Sequence, residues 1–393
     1  MIGNLRIAEL DSIRGIAALM VVFVHCLACY KQNIFNYDGI NFIHLVLTFI
    51  SGRAPVILFF VLSGFVLAIK FSQADFSAPK LISFYLRRLL RLIPAAYSGL
   101  LFAILIFSLL RLISDGYFFN DFITNPLIFN AKFINLKSDL LFTTNYINPV
   151  YWSLHVELIG GLLFPLFSIL IYSKAWSRYL VLCIFLLLPF SPIYFTEIGK
   201  MTNALLYCFA AGILLHYLIL KNIVSLENNL CGFFGLFILV GSHNLADLEK
   251  IFANFLIKHS ILINTDLLEI NFIEYLQHLC ETFGAFLLVG HIVQRKNSLK
   301  FLNLKILKKM GDLSYSIYLL HLPIIALVGI VIDKLINISS HAQGIDLILF
   351  TFLMVLSITI PLSYLNYHIF EKPFINFSKI ISNKWLDKTE QVG

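Results

Sequence analysis

Residues 9–30 read ELDSIRGIAALMVVFVHCLACY, a long apolar run that contains Arg14 and His25. On a helix, the eleven steps from Arg14 to His25 are three turns plus about 20°, so both side chains share one face about 16 Å apart along the axis. Asp11 lies three residues before Arg14 on that face and can pair with it. Gly15 is small enough to let a neighbouring helix approach closely. The stretch lacks a small-residue cleavage site and is expected to be a retained membrane span rather than a signal peptide.

This polar face has two interpretations. Imidazole, with an unperturbed pKa of about 6.5, is the usual general base, so His25 is a candidate base deep in the membrane. Alternatively, His25 hydrogen-bonds to a neighbouring helix and Arg14 snorkels to the membrane surface. The helix taken alone does not separate these interpretations.

The composition agrees with a chain that lies largely in lipid. Of 393 residues, 59% are hydrophobic and 13% are charged, against roughly 45–50% and about 25% in soluble domains. The mean hydropathy is +0.86. These values exclude an ordinary cytosolic enzyme, a disordered chain and a secreted disulfide scaffold.

Hydropathy predicts an all-α polytopic membrane protein with about ten transmembrane helices. The predicted spans are 12–30, 54–70, 94–112, 153–173, 179–195, 202–220, 229–243, 272–293, 312–333 and 346–370. We therefore expect residues 1–372 to form one integral-membrane domain and residues 373–393 to form a short basic cytoplasmic tail.

The distribution of basic residues predicts the orientation. With the N-terminus inside, nineteen Lys and Arg residues fall in the inside segments and nine fall in the outside segments. The outside loops, at 31–53, 113–152 and 244–271, are also the longer ones. By the positive-inside rule, both termini are expected to be cytoplasmic.

The fourth predicted span opens with PVYWSLHVELIGGLLFP (149–165). Ser153 and Glu157 are four residues apart, and Gly160 continues their face, so Glu157 is expected to point into the bundle beside a groove. The alternative is a carboxylate that caps the first turn of the helix. His155 lies on nearly the opposite face and is interpreted as structural.

Three arginines precede a proline in SFYLRRLLRLIPAAY (83–97). Arg87, Arg88 and Arg91 stand just before Pro94, which is interpreted as a helix start. Guanidinium groups bind phosphate bidentately, so this cluster is a candidate phosphate site. An anchor that touches lipid headgroups is the other interpretation.

Three further segments carry weaker signals. In FFVLSGFVLA (59–68), Ser63 and Gly64 could break the helix and expose its backbone to a ligand, or could serve ordinary helix packing. GDLSYSIYLLHLP (311–323) contains His321, and YHIFEKP (367–373) contains Glu371; structural roles are favoured for both.

Cysteine chemistry is not expected to contribute a metal site. Cys26 and Cys29 are three residues apart beside His25 and could in principle ligate a metal. Buried inert thiols are the favoured interpretation. We therefore expect neither a metal nor a permanently bound cofactor.

The ordered set of motifs resembles the acyltransferase 3 family of integral-membrane acyltransferases over residues 9 to 373. It comprises LDSIRGIAALMVVFVH, with Arg and His separated by ten residues, then FFVLSGFVL, RRLLRLIP, WSLHVE, GDLSYSIYLLHLP and FEKP. Each motif is weak by itself, whereas their order and spacing are specific. The pattern resembles that of stand-alone members, without the soluble esterase-like domain that some members carry.

The resemblance implies a reaction and a set of site residues. Family members transfer an acyl group, usually acetyl, from cytoplasmic acyl-CoA to a hydroxyl of a carbohydrate that faces the other side, such as a lipid-linked glycan, O-antigen or exopolysaccharide. By resemblance, the implied catalytic residues are Arg14, His25 and Glu157, and the implied supporting residues are Asp11, Trp152, Ser153 and His321. The implied acyl-CoA-binding residues are Ser63, Gly64, Arg87, Arg88 and Arg91.

Two rival functions remain open at this stage. Intramembrane His, Arg and Glu also suit the proton relay of a transporter or flippase for a lipid-linked sugar or an acid. An acyltransferase that acts on a lipid or another small acceptor is the second rival. The expected partners are acyl-CoA, the carbohydrate acceptor and membrane lipid, without nucleic acid, and the expected location is a bacterial inner membrane.

Overall fold

The computed structural model describes residues 7–35, 51–71, 77–113, 136–173, 175–187, 197–242, 268–295, 299–336 and 345–390. These ranges are overwhelmingly helical and contain no strand. The α-helices are α1 (Ala8–Phe35), α2 (Ala54–Phe71), α3 (Ala78–Ile113), α4 (Leu136–Leu140), α5 (Tyr151–Tyr172), α6 (Ala175–Leu187), α7 (Glu197–Leu220), α8 (Asn229–Gly241), α9 (Leu268–Gln294), α10 (Lys305–Ile336), α11 (Ile345–Asn366) and α12 (Lys372–Glu390). A 3₁₀ turn (Lys300–Asn303) precedes α10, and a π-helical segment (Tyr367–Glu371) joins α11 to α12.

The predicted all-α membrane class is confirmed. Within the described residues, seven helices are long and apolar enough to cross a membrane. Two shorter apolar helices, Ala54–Ile69 and Asn229–Gly241, coincide with the two short predicted spans. Ten crossings and cytoplasmic termini stay predictions. Much of the three predicted outside loops, the end of the span predicted at 179–195 and residues 391–393 of the predicted tail lie outside the described residues.

Helices α1 and α10 run side by side and bring the polar face of α1 against α10. They approach closely at Gly15 and Gly311, where a Cβ on Gly15 would lie 2.7 Å from the Gly311 nitrogen. Ser12 Oγ also donates a hydrogen bond of 2.5 Å to the Leu302 carbonyl in the 3₁₀ turn before α10. Small residues therefore let the two backbones meet, as is common between membrane helices.

The interpretation of Pro94 as a helix start is wrong. Helix α3 begins at Ala78 and continues through Pro94. Its first turns pack on α12, where Arg87 Nε donates to Ser382 Oγ at 2.8 Å and the hydroxyls of Ser83 and Ser382 also hydrogen-bond. Tertiary packing thus offsets the one backbone hydrogen bond that the proline removes. The segment predicted as a short tail is largely this packed helix.

A second proline, Pro323, lies inside α10 two residues after His321. Since proline has no N–H group, the carbonyl of Leu319 loses its usual partner four residues on. The Nδ2 group of Asn148, in the segment before α5, donates to this carbonyl at 3.1 Å. Asn148 is fully buried. The segment before α5 is therefore bound to the turn of α10 in which the proline removes a backbone hydrogen bond.

This contact predicts a coupling between Asn148 and Pro323. Asn148→Ala leaves a buried carbonyl unpaired, and we expect the free energy of unfolding to fall by about 1–3 kcal/mol. In a Pro323→Ala background the new N–H can bond to Leu319, so the same Asn148→Ala change should cost clearly less. Unfolding in detergent of the wild type, both single variants and the double variant gives the four free energies. If Asn148→Ala lowers the free energy of unfolding equally in both backgrounds, Asn148 does not compensate for the hydrogen bond lost at Pro323.

Candidate active site

Two cavities that share part of their lining lie between α1, α2, α3 and α10. The basal cavity, of about 370 Å³, opens near the start of α1 and is lined by Ile7, Asp11, Asp312, Tyr367 and Glu371 among others. The central cavity, of about 110 Å³, is lined by Phe59, Phe60, Ser63, Glu157 and Tyr318 among others. Both are lined by Arg14, Val66, Arg91, Ser314 and Tyr315. We call these shared residues the neck; a guanidinium from α1 and one from α3 both line it.

The two neck arginines offer hydrogen-bond donors. The Nε atom of Arg14 is buried and has no hydrogen-bond partner in the described part of the chain. Carboxylates surround Arg14 at electrostatic range: Asp11, Glu157 and Glu371. Arg91 is also within range of Glu371. The neck is therefore a partly buried, cation-bearing constriction with acidic groups around it, suited to hold a polar or anionic part of a ligand.

Arg88 and Glu157 form an ion pair in the wall of the central cavity. Arg88 Nη2 lies 2.7 Å from Glu157 Oε1 and 2.8 Å from the Glu157 backbone oxygen. Ser63 Oγ donates to the same carboxylate at 2.8 Å. Glu157 thus points into the bundle, as expected, and its described contacts are with Arg88 and Ser63. They tie α5 to α3 and α2.

A glycine makes room for this pair. A Cβ on Gly161 would lie 1.8 Å from Arg88 Nε. We expect Gly161→Ala to displace Arg88 from Glu157 and to lower the free energy of unfolding by about 2 kcal/mol. In an Arg88→Ala background, the same change has no guanidinium to displace and should cost little. Leu162→Ala, at a side chain that is 56% exposed, is the control. If Gly161→Ala lowers the free energy of unfolding by the same amount with and without Arg88, the contact between Gly161 and Arg88 is not the cause.

The other candidate acyl-CoA-binding residues, Arg87, Ser63 and Gly64, lie in different surroundings. Arg87 is exposed and binds α12, with Nε on Ser382 and Nη2 3.4 Å from Asn383 Oδ1, so it does not line either cavity. Ser63 lines the central cavity. Gly64 lies at the crossing with α7, where a Cβ would be 2.2 Å from the Phe209 oxygen. Since α2 is unbroken from Ala54 to Phe71, Gly64 serves helix packing here.

His25 and His321 come together across the α1–α10 contact. His25 Nδ1 lies 2.9 Å from His321 Nε2, and the ring centroids are 5.0 Å apart. His321 Nδ1 is 2.7 Å from the backbone oxygen of Tyr318. His321 is fully buried, whereas His25 is partly buried. The packing of α1 against α10 thus brings together two imidazoles that are far apart in the sequence.

Tyr318 links the imidazole pair to the central cavity, and sequence reasoning missed it. Its side chain lines the cavity while its backbone oxygen meets His321. The hydroxyls of Tyr318 and Ser153 are 2.7 Å apart. Phe59 packs edge-on against the Tyr318 ring at 6.5 Å. Tyr318 lies one helical turn before His321 in GDLSYSIYLLHLP, and that spacing was the available signal.

Trp152, an implied supporting residue, and His155, interpreted as structural, both have simple surroundings. Trp152 packs edge-on against Phe60 in the core, with centroids 6.5 Å apart. His155 Nδ1 lies 2.6 Å from the Phe142 oxygen, away from both cavities. In the part of the chain that the structure describes, no group of three or more His, Cys, Asp or Glu side chains could hold a metal ion.

The fold and the site define a multi-pass membrane protein with arginines and an imidazole pair inside its helical bundle. Residues 7–365 match the family model described as an acyltransferase domain. Because this match covers nearly the whole chain, the chain belongs to the acyltransferase 3 family and is a membrane acyltransferase. Neither the curated proteins nor the solved structures contain a match to it.

Proposed function

We propose that this acyltransferase moves an acyl group, acetyl in the simplest case, from cytoplasmic acyl-CoA to a hydroxyl of a lipid-linked or surface carbohydrate on the other side of a bacterial inner membrane. The observation that carries the proposal is the pair of cavities that share Arg14 and Arg91 in their linings. Residues at the start of α1 line the basal cavity, and Tyr318, whose backbone oxygen contacts His321, lines the central cavity.

Acyl-CoA would meet the guanidiniums of Arg14 and Arg91 at the neck, beside the carboxylates of Asp11, Asp312 and Glu371 that also line the basal cavity. Its phosphates are bulky and anionic, whereas its pantetheine arm is thin and carries the acyl thioester. We infer that the phosphate end stays at the basal side and that Arg91 binds it or the adjoining polar groups. The arm then passes the neck, where the buried Nε of Arg14 can donate to a carbonyl of the donor.

The chemistry requires a base beside the thioester carbonyl. In direct transfer, His25 takes the proton of the acceptor hydroxyl, the oxygen attacks the carbonyl carbon, and the carbon–sulfur bond breaks. The proton then passes to the leaving thiolate, so the products are the ester and free CoA. In the alternative, His25 attacks the carbonyl carbon itself, the carbon–sulfur bond breaks and CoA leaves as the thiolate. The acyl group then passes from His25 to the hydroxyl, whose proton goes to the thiolate. Both routes need an imidazole nitrogen with a lone pair.

Glu157 supports this route by holding the cavity wall. Its carboxylate fixes Arg88 and Ser63 on the side of the central cavity. We infer that it positions these groups along the donor path and balances part of the positive charge of the neck. Arg87, bound to α12, is inferred to stabilise the fold rather than to contact the donor.

The test uses purified protein in nanodiscs with acetyl-CoA labelled on the acetyl carbon. We expect CoA release that depends on the protein, including slow hydrolysis without acceptor. A bacterial envelope extract is then added, and the label is separated into polysaccharide, lipid-extractable and free acetate fractions. Label in polysaccharide supports the full proposal. Label in simple lipid would show that the acceptor is a lipid rather than a carbohydrate. A folded sample that neither binds nor turns over acetyl-CoA would contradict the proposed donor.

A further inference from the structure

The hydrogen-bonding partners of His321 determine which of its nitrogens carries the proton. Its Nδ1 atom contacts the backbone oxygen of Tyr318 at 2.7 Å. A backbone carbonyl only accepts hydrogen bonds, so Nδ1 must be the donor. In a neutral imidazole the other nitrogen is then an acceptor. The Nε2 atom of neutral His321 therefore presents a lone pair to its neighbour.

That neighbour is Nδ1 of His25, at 2.9 Å. Because His321 Nε2 is an acceptor, His25 Nδ1 must carry the hydrogen of this contact. The lone pair of neutral His25 is consequently on Nε2. After His25 takes up a proton, Nδ1 still donates to His321, so the contact holds in both protonation states of His25.

We propose that His321 is a positioning residue that keeps His25 in the tautomer protonated on Nδ1 and so makes Nε2 the reactive atom. The assignment of Nε2 to catalysis rests on the proposed function, whereas the tautomer itself follows from the contacts. The principle is that of hydrolase triads, in which a buried acceptor orients the catalytic imidazole. Here the acceptor is a second, neutral imidazole that is itself held by a backbone carbonyl.

The surroundings of His321 restrict its movement. Its side chain is fully buried, and the planes of the two rings lie at 21° to each other. The Tyr318 hydroxyl is bound near Ser153 and the Val150 carbonyl, at 2.7 and 3.2 Å, which holds the turn that supplies the Tyr318 oxygen. At the next residue of α10, the backbone oxygen of Leu319 accepts a hydrogen bond from Asn148 Nδ2. The segment around the start of α5 thus binds α10 at Tyr318 and at Leu319, and these contacts hold the turn whose Tyr318 oxygen accepts from His321.

The first test reads the tautomer without any reaction. Full-length protein labelled with ¹⁵N-histidine is reconstituted in lipid, and solid-state NMR distinguishes protonated from bare ring nitrogens; His25→Gln and His321→Gln assign the signals. We expect both residues to be protonated on Nδ1 and bare on Nε2. A wild-type His25 that carries its proton on Nε2 overturns the proposal, whatever the enzyme does.

The second test compares two replacements of His321 in acetyl-CoA turnover. Gln can place its carbonyl oxygen near the former Nε2 position, whereas Leu offers no acceptor. We expect His321→Leu to lower kcat by about 10²-fold or more, within the range for general acid–base groups, and His321→Gln to retain activity within about tenfold of the wild type. KM for acetyl-CoA should stay within about twofold in both, because His321 lines neither cavity.

The two tests separate failure of this inference from failure of the proposed function. Equal kcat losses for Leu and Gln, with the tautomer of His25 unchanged in His321→Leu, would assign His321 to packing alone. If instead the tautomer of His25 changes in His321→Leu but neither the wild type nor any variant turns over acetyl-CoA, the positioning contact stands and the proposed donor is wrong.

Discussion

Replacing His25 with Ala is expected to reduce acyl-CoA turnover by about 10²–10⁴-fold, the usual contribution of a general acid–base group, while the protein stays folded in the membrane. If His25 instead carries the acyl group, the loss should reach the detection limit. His25 is partly buried and contacts the fully buried His321, whose Nδ1 lies 2.7 Å from the Tyr318 oxygen, so the substitution removes one imidazole of this pair.

The measurement is the initial rate of CoA release by protein in nanodiscs, with the elution profile and unfolding temperature recorded for each variant. His155→Gln is the matched control because His155 bonds to a backbone oxygen away from both cavities. We expect it to keep near-normal turnover. Normal activity in His25→Ala would remove His25 from the chemistry and would return it to the structural interpretation.

Arg91→Gln is expected to raise KM for acyl-CoA roughly 10- to 100-fold, with a smaller effect on kcat. The estimate follows from the loss of a hydrogen bond to a charged group, worth about 1.5–3 kcal/mol, with each 1.4 kcal/mol equal to about tenfold in affinity. Arg91 lines both cavities at the neck, where it can contact the donor.

Arg87→Gln provides the control from the same motif. Arg87 binds Ser382 and Asn383 on α12 rather than the cavities, so we expect a KM within about twofold of the wild type and a modest loss of stability. Rates measured over a range of acetyl-CoA concentrations separate the two variants. Similar KM values for Arg91→Gln, Arg87→Gln and the wild type would make both arginines anchors of the helix rather than donor contacts.

Helical periodicity predicted one half of the site. Arg14 and His25 are eleven residues apart, so any α-helix places them on one face. Glu157 and Ser153 followed from the same reasoning, and both line the central cavity. These predictions succeed because they depend only on the geometry of one helix, which membrane burial makes nearly obligatory.

The interpretation of prolines and glycines was less dependable. Pro94 looked like a helix start, yet α3 runs from Ala78 through it because α12 packs on the preceding turns. Gly64 looked equally suited to ligand access or to packing, and the approach of Phe209 assigns it to packing. In both cases the deciding partner is distant in sequence.

The sequence by itself determined that this chain is a helical membrane protein of the acyltransferase 3 family with a charged and an imidazole group on its first helix. Composition and local periodicity suffice for the membrane class, since lipid permits few alternatives to apolar helices. The family follows instead from the ordered motifs and from the family model that matches residues 7–365. Only the tertiary structure decided that His25 meets His321, 296 residues away, and that Arg91 rather than Arg87 faces the cavities. Such pairings depend on which helices pack together and on how each is rotated, and no local sequence pattern specifies either.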